Sequence, residues 1–200
     1  MMQVEQLFGT PLIADDLPVS PELAALPGAL FAAGRSDVGR SMNLGTGRWA
    51  AAPWPIAASG AIGHMLALAN RATQDIRAPQ QAPDWTVALS IHVARAPMPV
   101  PPHYDAFWTA LYILRPSEGG GDRLEIQDPR LPMTMGEDPN LRLRAIGAKT
   151  PSFYQPTVDI AVTRGMMFLF PSWLDVRYVS GQAEGAGYAF LQAGLIAPLA

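Results

Sequence analysis

Cysteine is absent from the 200 residues, which removes disulfides, thiolate nucleophiles and Cys-ligated zinc or iron–sulfur centres together. Lysine is almost absent: Lys149 stands alone, and the other positive charges are arginines scattered along the chain. With a net charge of −3 and a pI near 5.5, the chain carries no electrostatic footprint for nucleic acid or an anionic membrane surface. No apolar run approaches the length needed to span a bilayer. The opening segment carries Glu5, Asp15 and Asp16 and lacks the basic and apolar regions of a signal peptide. The expected compartment is the cytoplasm.

What is present is apolar residue content of 49% against 16% charged, the balance of a globular protein. The length suits one ordinary domain, expected over 1–200, with an N-terminal strand, loops and helices over 1–80 and a β core over 85–196. The 20 prolines and 18 glycines punctuate apolar segments rather than forming a tract. That is the texture of short strands joined by turns.

Along the chain, Val4–Ile13 reads as one short strand ending near Pro11. Ser20-Pro21-Glu22 carries a capping hydroxyl, a proline for the first helical position and an early acid, so a helix starts there, broken or cut short by Pro27-Gly28. Residues 36–54 show no sustained period and read as loop, with Gly45 and Gly47 in turns. Residues 56–77 form the strongest helix, with Ile56, Ile62, Met65, Leu66, Ala69, Ala72 and Ile76 at three- and four-residue spacing. His64 beside that stripe is expected at the surface or core edge. From Trp85 the period becomes two: bulky Val87, Leu89, Ile91 and Val93 alternate with Ala88, Ser90, His92 and Ala94. Strands follow at 109–114, 124–126, 157–162, 166–170, 176–180 and 188–196, with a tight or flexible connection at Gly119-Gly120-Gly121 and a hairpin turn at Arg164-Gly165. The pattern is mostly β (α+β), a jelly roll with N-terminal helical buttressing.

The residues with most chemical content are His103-Tyr104-Asp105, after the proline-rich stretch 97–102. On extended chain, positions i and i+2 share a side, so an imidazole and a carboxylate can converge as two corners of a facial metal triad. The competing reading is a solvated loop. Asp128-Pro129-Arg130 reads as a turn with an internal ion pair, and the five tryptophans as core or pocket wall. Ser172 follows a strand without the G-x-S-x-G elbow of a serine hydrolase.

Several stretches together resemble a bacterial branch of the 2-oxoglutarate/Fe(II)-dependent dioxygenases, across nearly the whole chain. They are Leu7-Phe8-Gly9-Thr10-Pro11-Leu12, Ser41-Met42-Asn43 with Gly47-Arg48-Trp49, His103-x-Asp105, and Thr109-Ala110-Leu111-Tyr112-Ile113-Leu114. The most specific are Leu124-Glu125-Ile126-Gln127-Asp128-Pro129-Arg130 and Gly165 through Phe170-Pro171-Ser172-Trp173-Leu174. The resemblance implies a double-stranded β-helix (a cupin-like jelly roll), Fe(II) as metal and 2-oxoglutarate as co-substrate. His103 and Asp105 fall where the family holds iron, and Tyr112 where an aromatic hydroxyl can reach the co-substrate, packing being the alternative.

The chain departs from that family where chemistry needs it. Val176 occupies the position of the distal metal histidine, and no histidine follows His103. Gly187 occupies that of the arginine clamping the 2-oxoglutarate carboxylate, and the final strand has no arginine. Three substitutes are open: Asp175 as third ligand after a one-residue shift, which needs a bulge; His92 from a neighbouring strand; and Arg177 as the clamp. Each has a plainer reading, as turn acid, core imidazole and solvated arginine.

Two functional expectations follow. One is a divergent iron oxygenase, hydroxylating an unknown substrate with His103, Asp105 and a third ligand such as Asp175, and with Tyr112 and Arg177 on the co-substrate. The other is a pseudo-oxygenase that keeps the barrel as a binding or interaction module; the retained His103/Asp105 pair tips the balance toward the enzyme. The expected partner is a small-molecule or peptide substrate, neither nucleic acid nor membrane, with a homodimer left open.

Overall fold

The computed structural model describes residues 3–7, 10–32, 39–51, 54–73, 83–127, 157–181 and 187–197. Where one opening strand was expected there are two, β1 (Gln3–Leu7) and β2 (Thr10–Asp16), paired antiparallel as a hairpin. Helix α1 (Pro21–Ala32) starts as its capping residues predict: the Leu23 amide donates to Ser20 Oγ at 3.2 Å. It does not break at Pro27. The proline is buried and the helix runs through it, giving up one backbone bond for a place in the core.

The stretch expected as loop contains β3 (Arg40–Arg48), which pairs with β4 (Thr86–Ala94) along its length. As an edge strand it is held by backbone bonds, so its small and polar side chains need no apolar period. Gly45, at φ 135°, absorbs the irregularity in that pairing, a conformation that favours glycine. Helix α2 (Ile56–Thr73) buries Ile62, Met65, Leu66 and Ala69, but Ile56 is 92% exposed and outside the stripe. Residues 74–77 of the expected helix and the Asp128-Pro129-Arg130 turn lie outside the described residues. Among the described residues no helix is long and apolar enough to cross a membrane.

The remaining strands are β5 (Met98–Pro99), β6 (Trp108–Arg115), β7 (Arg123–Gln127), β8 (Thr157–Ala161), β9 (Met166–Pro171), β10 (Asp175–Val179) and β11 (Tyr188–Ile196). They make a seven-stranded sheet, β1-β2-β9-β6-β11-β4-β3, and a four-stranded sheet, β5-β10-β7-β8. All described pairings are antiparallel. The turn at Arg164-Gly165 is not a hairpin: β8 belongs to the small sheet and β9 to the large one. Gly165, at φ 91°, turns the chain from one layer to the other.

Two cores result, one on each face of the large sheet. The outer face packs Val87, Leu89, Ile91, Val93, Ala110, Tyr112, Leu114, Leu191 and Leu195 against α1 and α2. The inner face meets the small sheet through Leu111, Ile113, Phe168, Phe170, Tyr188 and Phe190, opposite Leu124, Ile126, Val176 and Tyr178. The period of two in each strand sorts the residues between these cores.

Candidate ligand site between the sheets

Strand β11 presents Tyr188, Phe190, Gln192 and Gly194 in succession to the inner face, and these four positions divide the interior into an aromatic end and a polar end. At the aromatic end Tyr178 of the small sheet stacks on Tyr188 with centroids 3.9 Å apart and planes 9° off parallel. Phe190 continues the stack at 5.9 Å from Tyr178, and His92 lies on Phe190 at 5.0 Å and 19°. The Tyr188 hydroxyl donates to the Ala96 carbonyl at 2.8 Å.

The Tyr178 hydroxyl donates to Asp122 Oδ2 at 2.5 Å. The same carboxylate accepts from the Ser117 amide at 2.6 Å, the Ser117 hydroxyl and the Gly181 amide at 2.6 Å. Asp122 is only 2% exposed. Burial pushes its pKa up, but the four donors outweigh that and hold it below the ordinary carboxylate value, since each stabilises the charged form. Burial and the Asp122 charge push the Tyr178 phenol well above its usual range. This network joins the start of β7 to the end of β10.

At the polar end, His92 is 4% exposed, with Nε2 bonded to Ser90 Oγ at 2.7 Å and a buried Nδ1 that has no protein partner. Desolvation, then the nearby His103, lowers its pKa from 6.5 to about 4. Gln192 donates through Nε2 to the Pro101 carbonyl at 2.6 Å, while its Oε1 is buried without a partner. His103 lies against Gly194: a Cβ there would come within 2.6 Å of its Cγ. Burial lowers the pKa of His103, and its Nε2 is also buried and unpartnered. Such orphaned atoms are uncommon in folded proteins.

The sequence-predicted residues do not converge. His103 is inside, but Asp105, two residues on, is exposed in a turn. Asp175 and Arg177 are exposed on β10, whereas Val176 and Tyr178 between and beyond them are buried. The alternation that puts Val176 inside puts both of its neighbours outside, and β10 pairs with β7 without a bulge to change that. Tyr112 belongs to the outer core, where its hydroxyl donates to the Leu17 carbonyl at 2.9 Å. His64 bonds Asp15 at 3.1 Å on the helix-covered side. Gln192 and Asp122 were missed. Gln192 had a signal, being the lone amide in an otherwise apolar strand, whereas Asp122 follows three glycines and looks like a turn acid.

No protein-family model matches the chain, and no curated protein does. Among solved structures it is similar to a non-haem α-ketoglutarate-dependent epimerase from nogalamycin biosynthesis. The TM-score is 0.52 at 12% identity, covering 93% of this chain and 78% of that one. It is also similar to a prolyl-4-hydroxylase from Pseudomonas putida, with TM-score 0.49, 11% identity and coverage of 94% and 93%. A 2OG-Fe(II) oxygenase-family oxidoreductase from Burkholderia pseudomallei follows at 0.48, 13%, 92% and 84%. At such identities the first likeness establishes a shared fold, mostly β with antiparallel sheets, and leaves the chemistry to the residues.

Among the described residues, the side chains do not fit iron and 2-oxoglutarate, which that fold implies. Among the described residues no group of three or more His, Asp or Glu is disposed to hold a metal. The co-substrate is a dianion that calls for a buried cation, and no Arg or Lys is buried among the described residues. A side chain at Gly187 would strike Phe31, whose Cζ lies 2.8 Å from the Cβ it would carry.

Proposed function

We propose that the chain is a non-catalytic member of the oxygenase fold, a double-stranded β-helix whose interior binds a small ligand in place of iron and 2-oxoglutarate. The observation that carries this reading is the facing of β10: Val176 is buried where a third iron ligand is needed, and Asp175 and Arg177 point outward. The buried atoms of Gln192, His92 and His103 that have no protein partner support a binding role. In this reading the partner is a small molecule, the protein works in the cytoplasm, and neither nucleic acid nor membrane is engaged.

The test is the Fe(II) affinity of protein purified without oxygen, for the natural chain and His103→Ala. The expected result is no stoichiometric iron and no difference between the two, because one imidazole with one exposed carboxylate makes a poor site. Micromolar, stoichiometric Fe(II) lost in His103→Ala would establish an oxygenase-type centre instead. That second reading is favoured by one observation, the buried and unpartnered Nε2 of His103.

A further inference from the structure

Between β5 and β6 the chain crosses from the small sheet to the large one. It leaves at Val100, whose amide donates to the Val176 carbonyl at 2.8 Å, and arrives at Phe107, whose amide donates to the Leu195 carbonyl at 2.9 Å. Both ends are fixed: Val100 is buried, the Phe107 carbonyl accepts from the Ser172 amide, and buried Trp108 follows. Residues 101–106 between them form a strap without regular structure. Pro101 and Pro102 have no amide hydrogen to donate, and the Ala106 amide turns back onto the His103 carbonyl. Among the described residues one hydrogen bond ties the strap to the barrel, from Gln192 Nε2 to the Pro101 carbonyl at 2.6 Å. Pro102, Tyr104 and Asp105 are exposed.

The strap turns the His103 ring inward, against Gly194 of β11. A Cβ added there would lie 2.6 Å from the ring's Cγ and 2.9 Å from its Cβ and Cδ2. Glycine weakens a strand interior, so its presence marks a close approach. Its cross-strand neighbours are Ala88 on β4 and Thr109 on β6. This row of small residues leaves a pit on the inner face, and the imidazole is its plug. The fit is close in shape and poor in polarity: His103 Nε2 and Gln192 Oε1 are both buried without a protein partner. Leaving such atoms unpaired is unfavourable, and water would reach them if the strap lifted. The closed position is therefore held by the pit and one hydrogen bond, and opposed by two dry polar atoms.

We propose that residues 101–106 open as a unit about Val100 and Phe107, lifting His103 out of the pit at Gly194. Closed, the strap seals the floor made by Gln192 and Gly194; open, it gives a small molecule access to that floor. Local opening falls where few backbone bonds and few buried contacts hold a segment, and the strap has one side-chain tie between its two anchors. The motion stands on this geometry alone. Its purpose rests on the non-catalytic binding reading, which needs a route to atoms that the closed fold hides.

The test is the rate at which diethyl pyrocarbonate acylates His103 in the folded full chain, resolved from the other histidines by mass spectrometry. With an open state populated at roughly 0.1–10%, His103 should react about 10- to 1000-fold more slowly than free imidazole. Gly194→Ala fills the pit and should raise the rate about 10-fold or more. Pro102→Gly is an exposed change that spares the core and frees the open strap, and should raise it about 2- to 5-fold. It keeps the test decisive where Gly194→Ala fails to fold. Tyr112→Phe lowers global stability from the outer face and should leave the rate unchanged. A rate that follows global stability, faster in Tyr112→Phe and unaltered in Pro102→Gly, overturns the strap. So does a natural chain whose His103 reacts like free imidazole. Stoichiometric Fe(II) binding would defeat the non-catalytic reading and leave the opening in place, whereas a His103 that reacts only on global unfolding defeats the opening alone.

Discussion

The two faces of the large sheet come from the same strands, yet they differ in kind. The outer face is closed: Tyr112 has a carbonyl for its hydroxyl, His64 has Asp15, and aliphatic residues from β4, β6 and β11 fill the rest against the helices. The inner face combines a carboxylate saturated with donors, an aromatic stack and three buried atoms with no protein partner. A sheet needs only one closed core to hold its shape. The unfinished polar end of the second is therefore the place to look for function, and the absence of a buried Arg or Lys among the described residues bears on which functions it can serve.

Asp122 is where that contrast should break most violently. Asp122→Ala leaves the Tyr178 hydroxyl and the Ser117 amide without an acceptor in the interior. It should cost about 3 kcal/mol or more in urea denaturation, given the price of unmade buried bonds to a charged group. A loss below about 1 kcal/mol would mean that water replaces the carboxylate and that the network is not sealed.

A comparable effect is expected from pH. His92 is held neutral, its pKa lowered from 6.5 to about 4, so between those values the unfolded chain binds a proton that the folded chain refuses. Stability should rise by about 3 kcal/mol as pH climbs through that window and fall again on acidification. Asp122, depressed in the fold, contributes stability that is present above the ordinary carboxylate value of 3.8 and lost as pH drops below it. Denaturation at several pH values should show His92→Phe, which keeps the stack but cannot titrate, flattening the slope above pH 4. Equal slopes would place His92 in contact with water.

The smallest effect belongs to the outer face. Tyr112→Phe removes one hydrogen bond to Leu17 and should cost about 1 kcal/mol without altering any ligand titration of the inner face. A change in ligand affinity would show that the two faces communicate.

Much of this architecture is legible before any coordinates, because buried strands carry their facing in the alternation of side chains. The bulky and small faces of 86–94 separate into the two cores as their period indicates. Where backbone rather than side chains does the holding, the signal vanishes. β3 looks like loop because an edge strand built of Ser, Asn, Gly and Thr has no apolar period, and β5 lies within a proline-rich stretch. The site was readable only in part. His103 carries a buried Nε2, but the placing of His92 near Gln192 is set by register, Phe190 opposite His92 and Gln192 opposite Ser90. No local pattern encodes such pairings. Asp175 and Arg177 are candidates only as substitutes for the positions that the family resemblance leaves vacant at Val176 and Gly187, and the pleat of β10 turns both away.

The most direct measurement of whether the interior has lost its oxygenase chemistry is calorimetric titration of the anaerobic, Fe(II)-supplemented protein with 2-oxoglutarate. A buried dianion without a counter-charge forfeits roughly 3–5 kcal/mol, or two to three orders of magnitude in affinity. No saturable heat is expected at up to about 1 mM co-substrate, for the natural chain and for Arg177→Ala alike. Micromolar binding of 2-oxoglutarate, with succinate formed on admitting oxygen, would contradict it.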